Sequence, residues 1–338
     1  MVKMADVAAT AGVSITTVSH ALNNTRPVSD ELRARVLAAV RDTGYTPNSV
    51  ARALVTQSTM LIGVVMSFLS NPFFAPLVTH IDRTARRRGY TLLLTENHEN
   101  ATDEAMQVKV MLDRRVDGII IAPAARNLHE VISRLTASGT PTVLIDRLSE
   151  GEFDEVGADN IEPTAQMIEH LAAHGHTRIG CISGQPGLST TSERLTGYRV
   201  GLQRAGLLFD RKLVRAGASQ IEPARKSVKA LMTGPNPPTA LFSANNAMTV
   251  GMLRGLRDLG LRVPDDVAVG AFDDFEWADL MSPQLTTVAQ PIPQIGSLAT
   301  KLLLRRIDGY DGPTERHAIP PLLQVRDSCG CNQVELGR

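Results

Sequence analysis

From Leu61 onward the sequence alternates short apolar runs with amphipathic stretches, and this alternation restricts the possible fold more than any other feature. The apolar runs predict strands, and the stretches between them predict helices. Strands that alternate with helices form parallel sheets that carry helices on both faces. Because roughly 280 residues are too many for one sheet, we expect two lobes.

The predicted elements locate the candidate site. Predicted strands lie at Leu61–Met66, Thr91–Leu94, Gly118–Ala122, Thr142–Ile145, Arg178–Ile182, Ala240–Ser243 and Val267–Ala271. Predicted helices lie at Phe74–Arg88, Asp103–Arg114, Leu128–Ser138, Ile161–His174, Glu193–Ala205, Met248–Leu259 and Ile295–Ile307. Ligands of such sheets bind at the carboxyl ends of the strands, so the residues that follow each strand are candidates for binding.

The first sixty residues differ from the rest and predict three short helices. Gly12 separates the first two, Met4–Ala11 and Ile15–Asn23. A third helix begins after Ser29, a good capping residue, and ends at Gly44. Two short helices joined by a glycine turn and braced by a third are typical of a helix-turn-helix DNA-binding domain.

The second of these helices has two distinct faces. Val18 and Ala21 lie on the apolar side. The opposite side carries hydroxyl, imidazole and amide groups, from Thr16, Ser19, His20 and Asn23. Such groups hydrogen-bond base edges in a major groove. A solvated polar face is the alternative for any single amphipathic helix, and the three-helix context favours DNA binding.

Charge, apolar runs and cysteine content add three expectations. The chain has no net charge, but residues 1–60 carry a small positive surplus, which permits nucleic-acid binding. No apolar run predicts a signal peptide or a membrane span, so we expect the cytoplasm and no membrane partner. The C-x-C pair Cys329 and Cys331 offers too few ligands for a closed metal site, and we expect neither a metal nor a cofactor.

A family resemblance covers essentially the whole chain. In the head it is carried by Asp6-Val7-Ala8, Ala11-Gly12-Val13-Ser14, Thr17-Val18-Ser19, Leu22-Asn23, Gly44-Tyr45 and Pro47-Asn48, with Ala51 and Leu54. In the remainder it is carried by Arg115-Val116-Asp117-Gly118-Ile119, Gly175-His176-Thr177-Arg178-Ile179-Gly180, Arg194-Leu195-Thr196-Gly197-Tyr198, Pro264-Asp265-Asp266-Val267 and Leu285-Thr286-Thr287-Val288. These patterns resemble the LacI family of bacterial transcription repressors.

The resemblance implies an all-α helix-turn-helix head and an α/β sensor with two lobes of doubly wound parallel sheet, like a type I periplasmic sugar-binding protein. It implies a head at residues 1–45, a hinge helix and linker at 46–59, and an effector-binding and dimerisation domain at 60–338. The lobes would be discontinuous in sequence. The N-lobe would take about 60–159 and 292–319, and the C-lobe about 160–291 and 320–338.

The resemblance also implies a homodimer on double-stranded operator DNA of pseudo-palindromic sequence. The implied DNA contacts come from the second helix, the turn after it and the hinge: Ile15, Thr16, Thr17, His20, Asn23, Arg26, Asn48, Ala51 and Leu54. Thr16 and His20 would read base edges, and Ile15 would contact a thymine methyl. Leu54 matches a hinge leucine that wedges between central base pairs from the minor groove.

A small polar effector needs bidentate donors, carboxylates for its hydroxyls and an apolar plate. The residues that supply these at strand ends and lobe crossings are Phe73, Phe74, Asp146, Arg194, Asn245 and Asp273. Arg194 and Asp273 match the family's ligand-binding arginine and aspartate, and a structural ion pair is the alternative for the two. Leu188 and Ile221 occupy the family's purine-contacting positions, so we expect a carbohydrate effector.

Three rival functions share parts of this pattern. A transport-type sugar-binding protein has the same sensor fold, but the head argues against it. An enzyme is a second alternative on a doubly wound scaffold. We expect no catalytic residues, because the sequence shows no nucleophile–base pair, metal constellation or dinucleotide fingerprint. A regulator whose effector is a phosphorylated protein is the third alternative, and the sequence leaves it open.

Overall fold

The computed structural model describes residues 2–23, 26–46, 53, 56, 58–124, 128–148 and 151–331. The chain divides into two compact units, Met1–Met60 and Leu61–Arg338. Each unit has its own apolar core.

The smaller unit is a three-helix domain made of α1 (Met4–Ala11), α2 (Ile15–Asn23) and α3 (Asp30–Thr43). Gly12 takes the left-handed conformation that ends α1, at φ 64°, where a side chain would be strained. The hydroxyl of Ser29 caps α3 by accepting a hydrogen bond from the backbone N–H of Leu32. Fully buried valines from the three helices, Val7, Val18 and Val36, form the centre of the core.

The larger unit alternates strands with helices. The strands are β1 (Leu61–Met66), β2 (Thr91–Glu96), β3 (Gly118–Ile121), β4 (Thr142–Ile145), β5 (Asp154–Ala158), β6 (Ile179–Ser183), β7 (Val214–Ala216), β8 (Ala240–Ser243), β9 (Ala268–Phe272), β10 (Thr286–Ala289), β11 (Arg316–Ile319) and β12 (Leu322–Gln324). The α-helices are α4 (Phe74–Arg86), α5 (Ala101–Asp113), α6 (Leu128–Ser138), α7 (Glu162–Ala173), α8 (Ser189–Arg204), α9 (Ile221–Met232), α10 (Asn246–Asp258) and α11 (Ile292–Ile307).

These strands form two six-stranded sheets, in the orders β11-β5-β4-β3-β1-β2 and β12-β10-β9-β8-β6-β7. The described strand pairs are parallel, apart from the antiparallel pair of β10 and β12. The predicted two-lobed arrangement of parallel sheets is therefore confirmed. Each sheet with its helices is one lobe, called here the first lobe (the sheet of β1) and the second lobe (the sheet of β6).

The chain passes between the lobes between β5 and α7, between β10 and α11, and between β11 and β12. Helix α11 packs against α4 and against strands of the first sheet, although it follows β10 of the second. Gly296 permits this packing, since a Cβ there would lie 3.0 Å from the carbonyl oxygen of Leu77 in α4. In the part of the chain that the structure describes, no helix has the length and apolarity needed to span a bilayer.

Several elements do not appear among the sequence predictions, notably β5, β7, α9 and β10. Strand β5 contains Asp154 and Glu155, which periodicity would assign to a surface, yet both are almost completely buried. The guanidinium of Arg306 in α11 donates two hydrogen bonds to the Asp154 carboxylate, at 2.8 and 2.9 Å, and the backbone N–H of Glu315 donates a third. These charge-assisted bonds hold the pKa of Asp154 below its ordinary value despite its burial.

Candidate functional site

A cavity of about 50 Å³ lies between the lobes, and its lining residues follow strands of both sheets. Asp146 directly follows β4, Asp273 directly follows β9, and Gln290 directly follows β10. The structure brings together around this cavity all six residues proposed from the sequence as effector ligands: Phe73, Phe74, Asp146, Arg194, Asn245 and Asp273. It adds Glu99, Arg147 and Gln290, which the sequence reasoning missed.

Arg194, in the second turn of α8, is buried and held in place from three sides. Its Nε donates to Asn160 Oδ1 at 2.8 Å, and its Nη1 donates to the carbonyl of Ala244 at 2.6 Å. Its guanidinium lies 3.7 Å from the centroid of the Phe272 ring, a cation–π contact. These contacts leave the N–H groups of Nη2 as donors for a ligand.

Arg147 is the second buried guanidinium at the cavity. It forms an ion pair with Glu99 and donates hydrogen bonds to Ser67 Oγ, at 2.8 Å, and to the carbonyl of Pro123. Its Nε is buried and makes no hydrogen bond with a described residue, although it forms an ion pair with Asp146 Oδ2 at 3.5 Å. A buried donor without a partner costs free energy, which a bound acceptor would recover. In the sequence, the position of Arg147 beside Asp146, at the carboxyl end of a predicted strand, could have identified it as a candidate ligand.

Asp146 and Asp273 are equivalent acidic residues in the two lobes. Both are buried, and both have left-handed backbone conformations, with φ of 69° and 76°. Non-glycine residues in this region are uncommon and concentrate at functional sites. Burial raises the pKa of Asp146 to about 6, although the guanidiniums of Arg147 and Arg194 oppose the rise.

A structural ion pair is the alternative interpretation of Arg194 and Asp273. The hydrogen bonds of the two side chains go elsewhere: Asp273 accepts from Gln290 Nε2 at 2.6 Å and from the backbone N–H of Asn246 at 3.3 Å. The side-chain amide oxygen of Gln290, Oε1, is buried and makes no hydrogen bond with a described residue. Both Gln290 and Arg147, whose buried Nε also makes no such hydrogen bond, line the cavity.

Two asparagines support the site from the second lobe. Asn160, at the first lobe crossing, accepts from Arg194 and donates to the carbonyl of Ala158 at 3.1 Å. It therefore positions the guanidinium. Asn245 caps α10, because its Oδ1 accepts from the backbone N–H of Met248 at 2.8 Å. Its amide NH₂ group is a donor at the cavity wall.

Phe73 and Phe74 supply the apolar part of the wall. Their rings meet edge to face with centroids 5.0 Å apart, and both are buried. Opposite charges are nearly balanced around the same space, because Glu99, Asp146 and Asp273 face two guanidiniums. A site with acceptors, donors, aromatic surface and little net charge suits a neutral polyhydroxylated molecule.

The polar face of α2 is accessible in part. Ile15 is 52% exposed, Thr16 is exposed, and His20 is half-buried. The hydroxyl of Thr17 is hydrogen-bonded to Ser14 Oγ at 2.8 Å, so Thr17 also helps to cap the helix. Asn23 is half-buried and donates to Ser19 Oγ at 3.2 Å, and Arg26 is exposed. The other predicted DNA contacts, Asn48, Ala51 and Leu54, lie outside the described residues.

Glu104 in α5 lies behind the site and is completely buried. Its Oε2 accepts from Asn97 Nδ2 at 2.8 Å and from the backbone N–H of Ala124 at 2.6 Å, while Oε1 has no partner among the described residues. Asn97 in turn accepts from the backbone N–H of Glu99, the partner of Arg147. Burial raises the pKa of Glu104 from 4.5 to about 7.

We predict that Glu104→Gln removes a pH dependence of stability. The folded state retains a proton that the unfolded chain releases between about pH 4.5 and 7, so the free energy of unfolding falls as pH rises through this window. The neutral amide avoids this penalty, so the free energy of unfolding of the variant should exceed that of the parent by about 3 kcal/mol at high pH. Urea unfolding at about pH 5 and about pH 8 measures the difference. A stability gap that is equal at both pH values would contradict the prediction.

Two family models match the chain. Residues 3–48 match the bacterial regulatory proteins of the lacI family, and residues 168–329 match a periplasmic binding protein-like domain. The ribose operon repressor of Escherichia coli (strain K12) is 33% identical over 331 residues, which covers 97% of this chain and 100% of that protein. The HTH-type transcriptional repressor PurR of Photobacterium profundum is 32% identical over 331 residues, with coverage of 97% and 98%.

A solved structure extends the similarity to the whole architecture. The lac repressor dimer bound to operator and the anti-inducer ONPF superposes with a TM-score of 0.86 at 27% identity, covering 97% of this chain and 99% of that one. The resemblance seen in the sequence is thereby confirmed. The chain belongs to the LacI family of bacterial regulatory proteins, and it is a DNA-binding transcriptional regulator with a helix-turn-helix head and a sensor of the periplasmic-binding-protein type.

Proposed function

We propose that the protein is a homodimeric repressor whose affinity for a pseudo-palindromic operator is controlled by an aldopentose of the ribose class, bound in the cavity between the lobes. It acts in the cytoplasm, on double-stranded DNA, and performs no catalysis. The effector changes operator affinity only if it binds the DNA-competent and DNA-incompetent states with different affinity.

The observation that carries the effector class is the polar lining of a small cavity. Carboxylates, guanidiniums and amides surround it, and two buried polar atoms, Arg147 Nε and Gln290 Oε1, make no hydrogen bond with the described residues.

The relatives include a ribose operon repressor and a PurR repressor at nearly equal identity, so the choice between a pentose and a purine base rests on the cavity. Leu188, an apolar residue, lines the cavity at one of the positions that contact purine in the family that the sequence resembles. Sugar hydroxyls pair with alternating donors and acceptors of the kind found here, whereas a purine offers fewer such groups.

Thermal unfolding with added D-ribose, D-xylose, cellobiose or hypoxanthine tests this assignment. A ligand that binds only the folded state stabilises it by about 2.7 kcal/mol at a hundred times its Kd. We expect D-ribose to raise the melting temperature, and cellobiose and hypoxanthine to leave it unchanged. A response to hypoxanthine alone would reject the pentose in favour of a purine, and no response to any of them would point to a protein effector.

The DNA-binding part of the proposal rests on α2, whose exposed and half-buried polar residues lie on one face. Fluorescence anisotropy on a palindromic duplex with a central CG step, against a scrambled duplex and across a salt series, tests it. The affinity for the palindromic duplex should exceed the affinity for the scrambled duplex by about three or more orders of magnitude, and it should fall steeply as the salt concentration rises. Equal affinity for both duplexes, with and without the effector, would reject operator recognition.

We predict that His20→Ala weakens operator binding about 10- to 100-fold and leaves binding to the scrambled duplex unchanged. The reason is that a base-edge contact contributes about 1–3 kcal/mol of discrimination, whereas non-specific binding comes from phosphate contacts. His129→Ala, on an exposed position of α6, is the matched control and should bind like the parent. A parallel loss on both duplexes would assign His20 to the phosphate backbone.

A further inference from the structure

A second cluster of chemically reactive groups lies in the second lobe, apart from the effector cavity. Cys329 and Cys331 are joined by a disulfide with Cα atoms 5.5 Å apart. The Nε2 atom of His170, in the last turn of α7, lies 3.1 Å from Cys331 Sγ. One ligand atom from each of the three residues lies within 4.8 Å of the other two. The fold thus places a histidine beside the cysteine pair, although His170 and Cys331 are 161 positions apart in the sequence.

The segment that carries the cysteines is held in place by groups other than the disulfide. Ser328 donates from Oγ to the carbonyl of Val269 at 2.7 Å and accepts from the backbone N–H of Thr286 at 2.8 Å. The ring of His176 is hydrogen-bonded to the backbone of Cys329. Opening of the disulfide therefore leaves both sulfur atoms close to His170.

We propose that the reduced protein binds one Zn²⁺ ion through Cys329, Cys331 and His170, and that formation of the disulfide releases it. Two thiolates and one imidazole are a donor set that Zn²⁺ prefers, and solvent completes a tetrahedron. In such a site, with Zn–S bonds of about 2.3 Å, the sulfurs lie about 3.8 Å apart. The S–S bond and the metal therefore exclude one another.

The chemistry of this switch balances with a thiol reductant. A dithiol transfers two electrons and two protons to the disulfide, which yields two cysteine thiols and the oxidised dithiol. Zn²⁺ then displaces the two thiol protons as the thiolates bind. A disulfide oxidant reverses the sequence. In a reducing compartment the thiol form predominates, and this is the form that can hold metal.

Cobalt titration of the untagged full-length chain tests the proposal. The protein is reduced, freed of reductant without oxygen, and titrated with Co²⁺, whose visible and thiolate charge-transfer absorption reports a tetrahedral sulfur site. We expect one equivalent to bind, Zn²⁺ to displace it, and the oxidised protein to give no signal. Absence of uptake by the reduced protein, or equal uptake by the oxidised protein, would overturn the proposal.

Matched variants assign the ligands. His170→Gln and Cys331→Ser should each weaken Co²⁺ binding by more than about 10-fold. Substitution of a residue that only hydrogen-bonds to a metal ligand already causes a loss of this size. His174→Gln is the control, because this neighbouring histidine is hydrogen-bonded through Nδ1 to the carbonyl of His170 and is not among the three clustered ligands. Thermal unfolding of each metal-free variant, followed by circular dichroism, shows whether a variant that fails to bind the metal is still folded. Binding unaffected by His170→Gln would reject the histidine ligand and with it the site.

Discussion

The Asp273→Asn variant is expected to bind the pentose roughly 10- to 150-fold more weakly while retaining its affinity for operator DNA. Asp273 is buried at the cavity and already accepts hydrogen bonds from Gln290 and Asn246. A hydrogen bond to a charged group contributes about 1.5–3 kcal/mol, and an amide replaces one acceptor by a donor that faces other donors. Calorimetric titration with D-ribose and operator anisotropy measure the two affinities.

Asp279→Asn is the matched control for this experiment. Asp279 lies in the same lobe, its side chain is exposed, and it does not line the cavity. The same change of charge there should leave both affinities as they are in the parent. Unchanged pentose binding by Asp273→Asn would place the ligand somewhere other than this cavity, whereas loss of operator binding would indicate a fault in the fold.

The second large effect concerns helix packing in the second lobe. Gly251 of α10 lies so close to α9 that an added Cβ would be 2.2 Å from the carbonyl oxygen of Ile221 and 2.9 Å from Ala224 Cβ. Both obstacles are close to the backbone, so neither can rotate away. Gly251→Ala is therefore expected to lower the free energy of unfolding by about 3 kcal/mol.

Urea unfolding followed by the fluorescence of Trp277, the single tryptophan, measures this loss. Gly234→Ala is the control, because the nearest atom to a Cβ at Gly234 is a carbonyl oxygen at 3.5 Å. There the same substitution should be neutral or stabilise by about 0.4–1 kcal/mol, through the reduced freedom of the unfolded chain. Equal effects of the two substitutions would show that α9 and α10 separate at little cost.

Buried polar groups distinguish this site from an ordinary lobe interface. Glu99 and Arg147 are paired almost out of contact with water, and removal of one partner of such a pair is costly because it leaves the other charge buried. Asn97 and Glu104 extend the network away from the cavity. The network therefore holds Arg147 in one orientation before any ligand arrives, which lowers the ordering cost of binding.

The sequence by itself determined the features that depend on near neighbours along the chain. The bounds of α1, α2, β1, β4 and β8 coincide with those predicted, because hydrophobic periodicity and capping residues act over a few positions. The rule that ligands bind after parallel strands directed attention to Asp146, which directly follows a predicted strand, and to Asp273, which lies two positions after the end of another. Family resemblance added Arg194.

Only the tertiary structure decided which distant groups meet. Strand β5 was missed because its acidic residues have partners far along the chain: Asp154 pairs with Arg306, 152 positions away, and Glu155 pairs with Arg316. Arg147 and Gln290 were missed because their partners are distant in sequence: Glu99 lies 48 positions from Arg147, and Asp273 lies 17 positions from Gln290. No local period records such contacts. The same holds for His170 beside the cysteine pair. Hydrogen bonds and charge pairs across such separations depend on the packing of whole elements, and residue spacing in the sequence does not encode that packing.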